Sequence, residues 1–176
     1  MRIGGGLVGC RWEQIERAAA WQNEEVARWG LSEVLMRDNE QVSRFVNGSR
    51  SLEEIEGVRW PAPPADATRL VATAHALRRK PISVLGPEDL RLLISQDVGL
   101  LHLLPSAVEL LRADPMVEGD LYEGDLLSAV LTRGREAWAG VPGTARELRT
   151  IVSGLVDLSP GLRREADDFL AVVAGL

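Results

Sequence analysis

Apolar side chains recur at three- and four-residue spacing along almost the whole chain, and no segment alternates apolar with polar residues between hairpin turns. That periodicity limits the fold to packed helices. Prolines and glycines cut it into short pieces. Pro61-Ala62-Pro63-Pro64 cannot lie inside a helix, because each proline lacks an amide donor and disfavours helix in the residue before it, so it reads as an extended connector. Composition points the same way: 45% of the 176 residues are hydrophobic but only 5% are aromatic, which favours helices packed through aliphatic side chains over a β-sandwich. No internal repeat of fixed period is present. The expectation is an all-α fold, a compact bundle of about seven to nine short helices with an N-terminal helical hairpin arm.

The arm is read in residues 1–50. Trp12, Ile15, Ala18, Ala19, Val26 and Trp29 form one apolar stripe, and Ser32 caps a second helix carrying Val34, Leu35, Val42, Phe45 and Val46 until Asn47-Gly48 stops it. The main helical domain, residues 51–176, opens at Ser51-Leu52-Glu53-Glu54, which has the spacing of a capping box. From Asp66, Leu70, Val71, Ala74 and Leu77 then mark a helix that Pro81 ends. Gly86-Pro87-Glu88-Asp89 starts the next, with Leu90, Leu93 and Ile94 inward. Leu103, Leu104, Val108 and Leu111 belong to two short helices divided at Pro105. Leu126, Leu127, Val130 and Leu131 resume after an irregular acidic stretch. Two more helices are expected over roughly 143–156 and 160–174, the last capped by Ser159-Pro160.

Charge and cysteine usage exclude several classes. With 20 basic and 26 acidic residues the net charge is −6, so no basic field is available to hold a nucleic acid. Cys10 is the sole cysteine and there are two histidines, so no internal disulfide, zinc site or other cofactor is expected. Gly4-Gly5-Gly6-Leu7-Val8-Gly9 matches a dinucleotide fingerprint, but the strand that must precede it has no room in three residues. Leu7-Val8-Gly9-Cys10 looks like a lipoprotein cleavage box, yet its apolar region, Ile3 to Gly9, is four-sevenths glycine. No run approaches the ~20 apolar residues of a membrane span. A cytoplasmic protein without membrane contact is the expectation.

The densest chemistry is acidic. Asp114, Glu118, Asp120, Glu123 and Asp125 crowd into twelve residues with Tyr122, Gly119 and Gly124. The order of these residues does not fit a calcium loop, and no aromatic cleft accompanies them for work on a sugar. Two uses stay open: a solvated loop, in which Asp120 and Asp125 form turns or cap the helix at Leu126, or a patch that meets a basic partner. Residues 51–140 carry fourteen acids against nine bases, while the arm is neutral. Elsewhere, His102 lies among leucines and reads as a partly buried histidine bonded to a neighbour. Arg69 and His75 have the spacing of the helical HEPN ribonucleases, although Leu70 stands where that motif has a polar residue.

Five blocks of the middle region, in order, resemble the contact-dependent growth inhibition (CDI) immunity proteins. They are Ser51-Leu52-Glu53-Glu54-Ile55-Glu56-Gly57, Leu77-Arg78-Arg79-Lys80-Pro81, Glu88-Asp89-Leu90-Arg91-Leu92-Leu93-Ile94, Gln96-Asp97-Val98-Gly99-Leu100 and Glu118-Gly119-Asp120-Leu121-Tyr122-Glu123-Gly124-Asp125-Leu126-Leu127. Asp97 and Glu123 depart from the asparagine and proline common in that family. The resemblance implies a bacterial, non-enzymatic inhibitor that binds the C-terminal toxin domain of a polymorphic toxin, often a nuclease, and blocks it. The motifs do not locate the interface, so the expected contacts come from chemistry: Glu118, Asp120, Tyr122, Glu123 and Asp125, with Trp138 as an aromatic anchor. Readings from other classes are a HEPN-like ribonuclease using Arg69 and His75, and a helical adaptor that oligomerises through the arm.

Overall fold

Ser51 caps the first helix as its sequence spacing requires. In the computed structural model, which describes residues 48–175, the Ser51 hydroxyl accepts from the Glu54 amide and the Glu54 carboxylate accepts from the Ser51 amide at 2.7 Å. The chain divides into two units, 1–41 and 42–176, and the described residues belong to the second. The helices expected over 12–29 and 32–46, with their tryptophans, lie outside the described residues.

Among the described residues, eight α-helices and one 3-10 turn have their bounds set: α1 (Leu52–Glu56), α2 (Arg69–Leu77), the turn Ile82–Val84, α3 (Pro87–Ser95), α4 (Leu100–Ala113), α5 (Asp125–Leu131), α6 (Arg135–Ala139), α7 (Pro142–Ser153) and α8 (Pro160–Val173). Among the described residues there is no strand, only an isolated bridge between Ser51 and Pro81. The fold is all-α, as expected. The extended Pro61–Pro64 connector separates α1 from α2, Gly86 and Pro87 open α3, and Ser159 caps α8 by accepting from Leu162 N.

α3 packs on α5 and α4, α4 on α7, and α8 covers α5 and α7. Leu90, Leu93 and Ile94 of α3, Leu103, Leu104 and Leu111 of α4, and Leu126 and Leu127 of α5 share one core. Trp138 of α6 meets Phe169 of α8 edge to face, with ring centroids 5.2 Å apart. No helix of the described residues is long and apolar enough to cross a membrane.

One sequence expectation is corrected, and two features go beyond the sequence reading. α4 runs through Pro105 as a single helix. Proline deletes the amide that would serve the carbonyl of Leu101, and Leu101 is exposed, so the break in the ladder falls on the solvent side while Leu104 and Val108 stay packed. Leu70 and Val71 are 42% and 39% exposed, because only Ala74 and Leu77, in the second half of α2, reach the core. The helix α6 and the 3-10 turn are too short to leave a periodic signal and were not expected.

Candidate functional site

The acidic stretch between α4 and α5 is held by side chains that face inward. α3 begins with acids in its first turn, which complements the helix dipole, and Arg91 stands one turn beyond Glu88. Arg91 donates Nε to Glu88 Oε2 at 2.5 Å and Nη2 to Glu88 Oε1 at 2.7 Å, a bidentate pair. The same Nε lies 3.6 Å from Asp125 Oδ2. Asp125 occupies the first position of α5 and turns its carboxylate back over the loop. Its Oδ1 accepts from Gly119 N at 2.7 Å and its Oδ2 from Leu121 N at 3.0 Å, while Glu88 Oε2 accepts from Asp120 N at 3.2 Å. Three successive backbone amides thus end on two carboxylates bound by one guanidinium.

The loop's two glycines are required by this arrangement for different reasons. A Cβ at Gly119 would sit 2.8 Å from Glu88 Oε2 and 2.9 Å from Asp125 Oδ2, so the carboxylates approach the backbone only where there is no side chain. Gly124 has φ +83°, a left-handed conformation, and closes the loop by donating to Met116 O at 3.0 Å. The hydrogen bond from Arg91 holds the Glu88 carboxyl below its ordinary range, with the Asp120 amide adding to the effect and burial opposing it. The same bond raises the affinity of Arg91 for its proton. Glu88 and Arg91 are therefore held in their charged forms as a pair.

Held this way, the loop turns its tip outward. Leu121 is 62% exposed and Tyr122 53%, and Glu118, Asp120 and Glu123 are exposed beside them. Four of the six sequence-proposed contacts, Glu118, Asp120, Tyr122 and Glu123, thus share one surface. The other two are not on that surface. Asp125 is 2% exposed and spends its carboxylate on Gly119 and Leu121, and Trp138 is fully buried against Phe169. Both belong to the interior. Sequence reasoning missed Leu121, Glu88 and Arg91; the i,i+3 spacing of Glu88 and Arg91 was the one available signal for the pair.

Arg69 and His75 are not brought together. Six residues at ~100° each put their side chains about 120° apart around α2. Arg69 is exposed, whereas His75 packs edge-on against Trp60 with centroids 4.9 Å apart. His102 is half-buried in α4, and burial pushes its imidazole below the usual pKa.

The two blocks that meet in this carboxylate network, around Glu88 and around Asp125, both fall in the stretch for which a known family accounts. Residues 54–148, more than half of the chain, match the family model of the CDI immunity proteins. The chain belongs to the CDI immunity protein family. The match takes in α2 to α6, part of α7 and the entire acidic loop, so the loop and the helix that supports it lie within the matched region. A comparison with curated proteins finds no match.

Proposed function

We propose that this chain is the immunity partner of a toxin C-terminal domain with nuclease activity, and that it neutralises the toxin by occluding its active site without doing chemistry itself. The observation that carries the reading is the loop at residues 118–123, whose exposed acids surround an exposed apolar pair on a family-spanning frame. A nuclease grips its substrate with lysines and arginines, and a surface that presents fixed carboxylates to those groups competes for them directly. Opposite potentials also speed encounter, while a desolvated apolar centre slows release. The complex forms in the cytoplasm of the producing cell or its siblings, where the toxin would act.

The decisive experiment is co-expression and pull-down with the toxin C-terminal domain encoded immediately upstream of this gene. Rescue of growth together with a stable 1:1 complex supports the reading. An active toxin that is neither bound nor neutralised sinks it.

A further inference from the structure

The side chains of Leu121 and Tyr122 are not part of the core. They are the two large apolar groups at the summit of a loop whose amides at Gly119, Asp120 and Leu121 are held by Asp125 and Glu88. Exposed apolar residues scattered singly are common, but adjacent ones on a pinned loop, rimmed by charge, have the make-up of an interface anchor with its polar surround. The rim carries Glu118, Asp120 and Glu123, all acidic, so the complementary surface is an apolar pocket bordered by lysine or arginine.

The fixed shape has a single origin. Asp125 and Glu88 accept the amides of Gly119, Asp120 and Leu121, and Arg91 touches both carboxylates. Without the guanidinium, two carboxylates facing one stretch of backbone would repel each other, and Glu88 would lose both the partner that orients it and its hold on Asp120. A loop ordered before encounter avoids the ordering cost that a flexible one meets on binding.

We infer that Leu121 and Tyr122 form a preshaped apolar anchor for a basic-rimmed pocket on the toxin domain, and that Arg91, which never touches the partner, is the positioning residue that sets the anchor's shape. The inference rests on the immunity reading and adds the anchor, its partner's chemistry and the residue that controls it.

The test uses the full chain and the catalytically inactivated toxin C-terminal domain encoded upstream, with association and dissociation rates measured by surface plasmon resonance. The double variant Leu121→Ser, Tyr122→Ala changes exposed side chains only, so it is expected to melt with wild type and to dissociate about 100-fold faster, with association changed less than threefold. Arg91→Met is expected to dissociate about tenfold faster and to exchange the amides of Gly119, Asp120 and Leu121 faster than those of Leu93 and Leu104. Arg91→Lys, which keeps the charge but not the fork, should fall between. In the Leu121→Ser, Tyr122→Ala background, Arg91→Met should add little, since it acts through the anchor; a purely structural role would add its full factor.

An unchanged dissociation rate in the double variant, with wild type binding normally, overturns the anchor and leaves the immunity reading intact. Additive effects of Arg91→Met overturn its positioning role. Absence of binding by wild type to an active toxin removes the immunity reading and the anchor with it, whereas the amide-exchange comparison decides the loop-shaping role of Arg91 without any partner.

Discussion

The guanidinium of Arg78 lies 4.0 Å from the centre of the Trp60 ring while its Nη2 meets Glu56 Oε2 at 2.6 Å. Arg78 is buried, also donates to Val58 O at 3.2 Å, and so ties the segment after α1 to the end of α2. Burial lowers the pKa of Arg78 and raises that of Glu56, each opposed by the attraction of the other. The pair is thus costly to desolvate and costlier to split. Arg78→Ala is expected to destabilise by about 3–5 kcal/mol, because it strands Glu56 and uncovers Trp60, while Arg78→Met combined with Glu56→Leu should cost far less. Urea unfolding of the two variants checks this; equal losses would mean that the arginine acts by packing alone.

Gly119 and Asp125 supply a second stability test. Gly119→Ala inserts a methyl group within 3 Å of both carboxylates, and Asp125→Asn puts a donor where Gly119 N or Leu121 N needs an acceptor. Each is expected to cost about 1–3 kcal/mol, the range for a buried polar group deprived of its partner. If Asp125→Asn melts with wild type, the carboxylate charge is not what orders the loop.

Reversing charge at the rim should alter encounter and little else. Asp120 and Glu123 are exposed, and the frame is bonded to the amide of Asp120, whose carboxylate acts on Arg91 only as the last of its Coulombic neighbours. Asp120→Lys with Glu123→Lys is expected to slow association with the toxin domain about tenfold or more at low salt, an effect that shrinks as salt is raised. The melting temperature should hold. A wild-type on-rate in this variant would move the interface away from the loop.

Acid should weaken the protein in two stages. His102 has a folded pKa below its ordinary 6.5 because it is buried, so the unfolded chain takes up a proton first and stability declines as pH falls from about 6.5. Glu88 has a folded pKa below its ordinary 4.5, so its contribution is complete above about 4.5 and disappears as pH drops through the folded value. Glu56, raised by burial, acts in the opposite sense over the carboxylate range. Urea midpoints measured from pH 7 to 3 should therefore lose the first decline in His102→Gln and soften the second in Glu88→Gln. A first decline that survives His102→Gln belongs to another group.

What could be read from sequence was what is decided locally. The capping box at Ser51, the Gly86-Pro87 start and the Ser159 cap each involve residues within a turn of one another, and each forms as its spacing requires. Periodicity found the helices but does not say which apolar residues are covered: Leu70 and Val71 stay exposed, because which turns of α2 meet the core is set by α3, not by α2 itself. Pro105 argued for a break that packing of the flanking leucines overrides. At the site, acidity pointed to the right loop, yet nothing near Asp125 in sequence says that its carboxylate faces inward. Its ionic partner lies on α3, more than thirty residues earlier, and only folding brings the two together.

Gly119 and Gly124 fix the loop's backbone, Asp125, Glu88 and Arg91 fix its amides, and none of these five contributes to the tip. The side chains of residues 121–123 are thereby uncoupled from the stability of the fold, so they can be rewritten one at a time without passing through an unfolded intermediate. In a lineage where toxin and inhibitor change together, such insulation lets partner choice drift quickly on a framework that hardly changes.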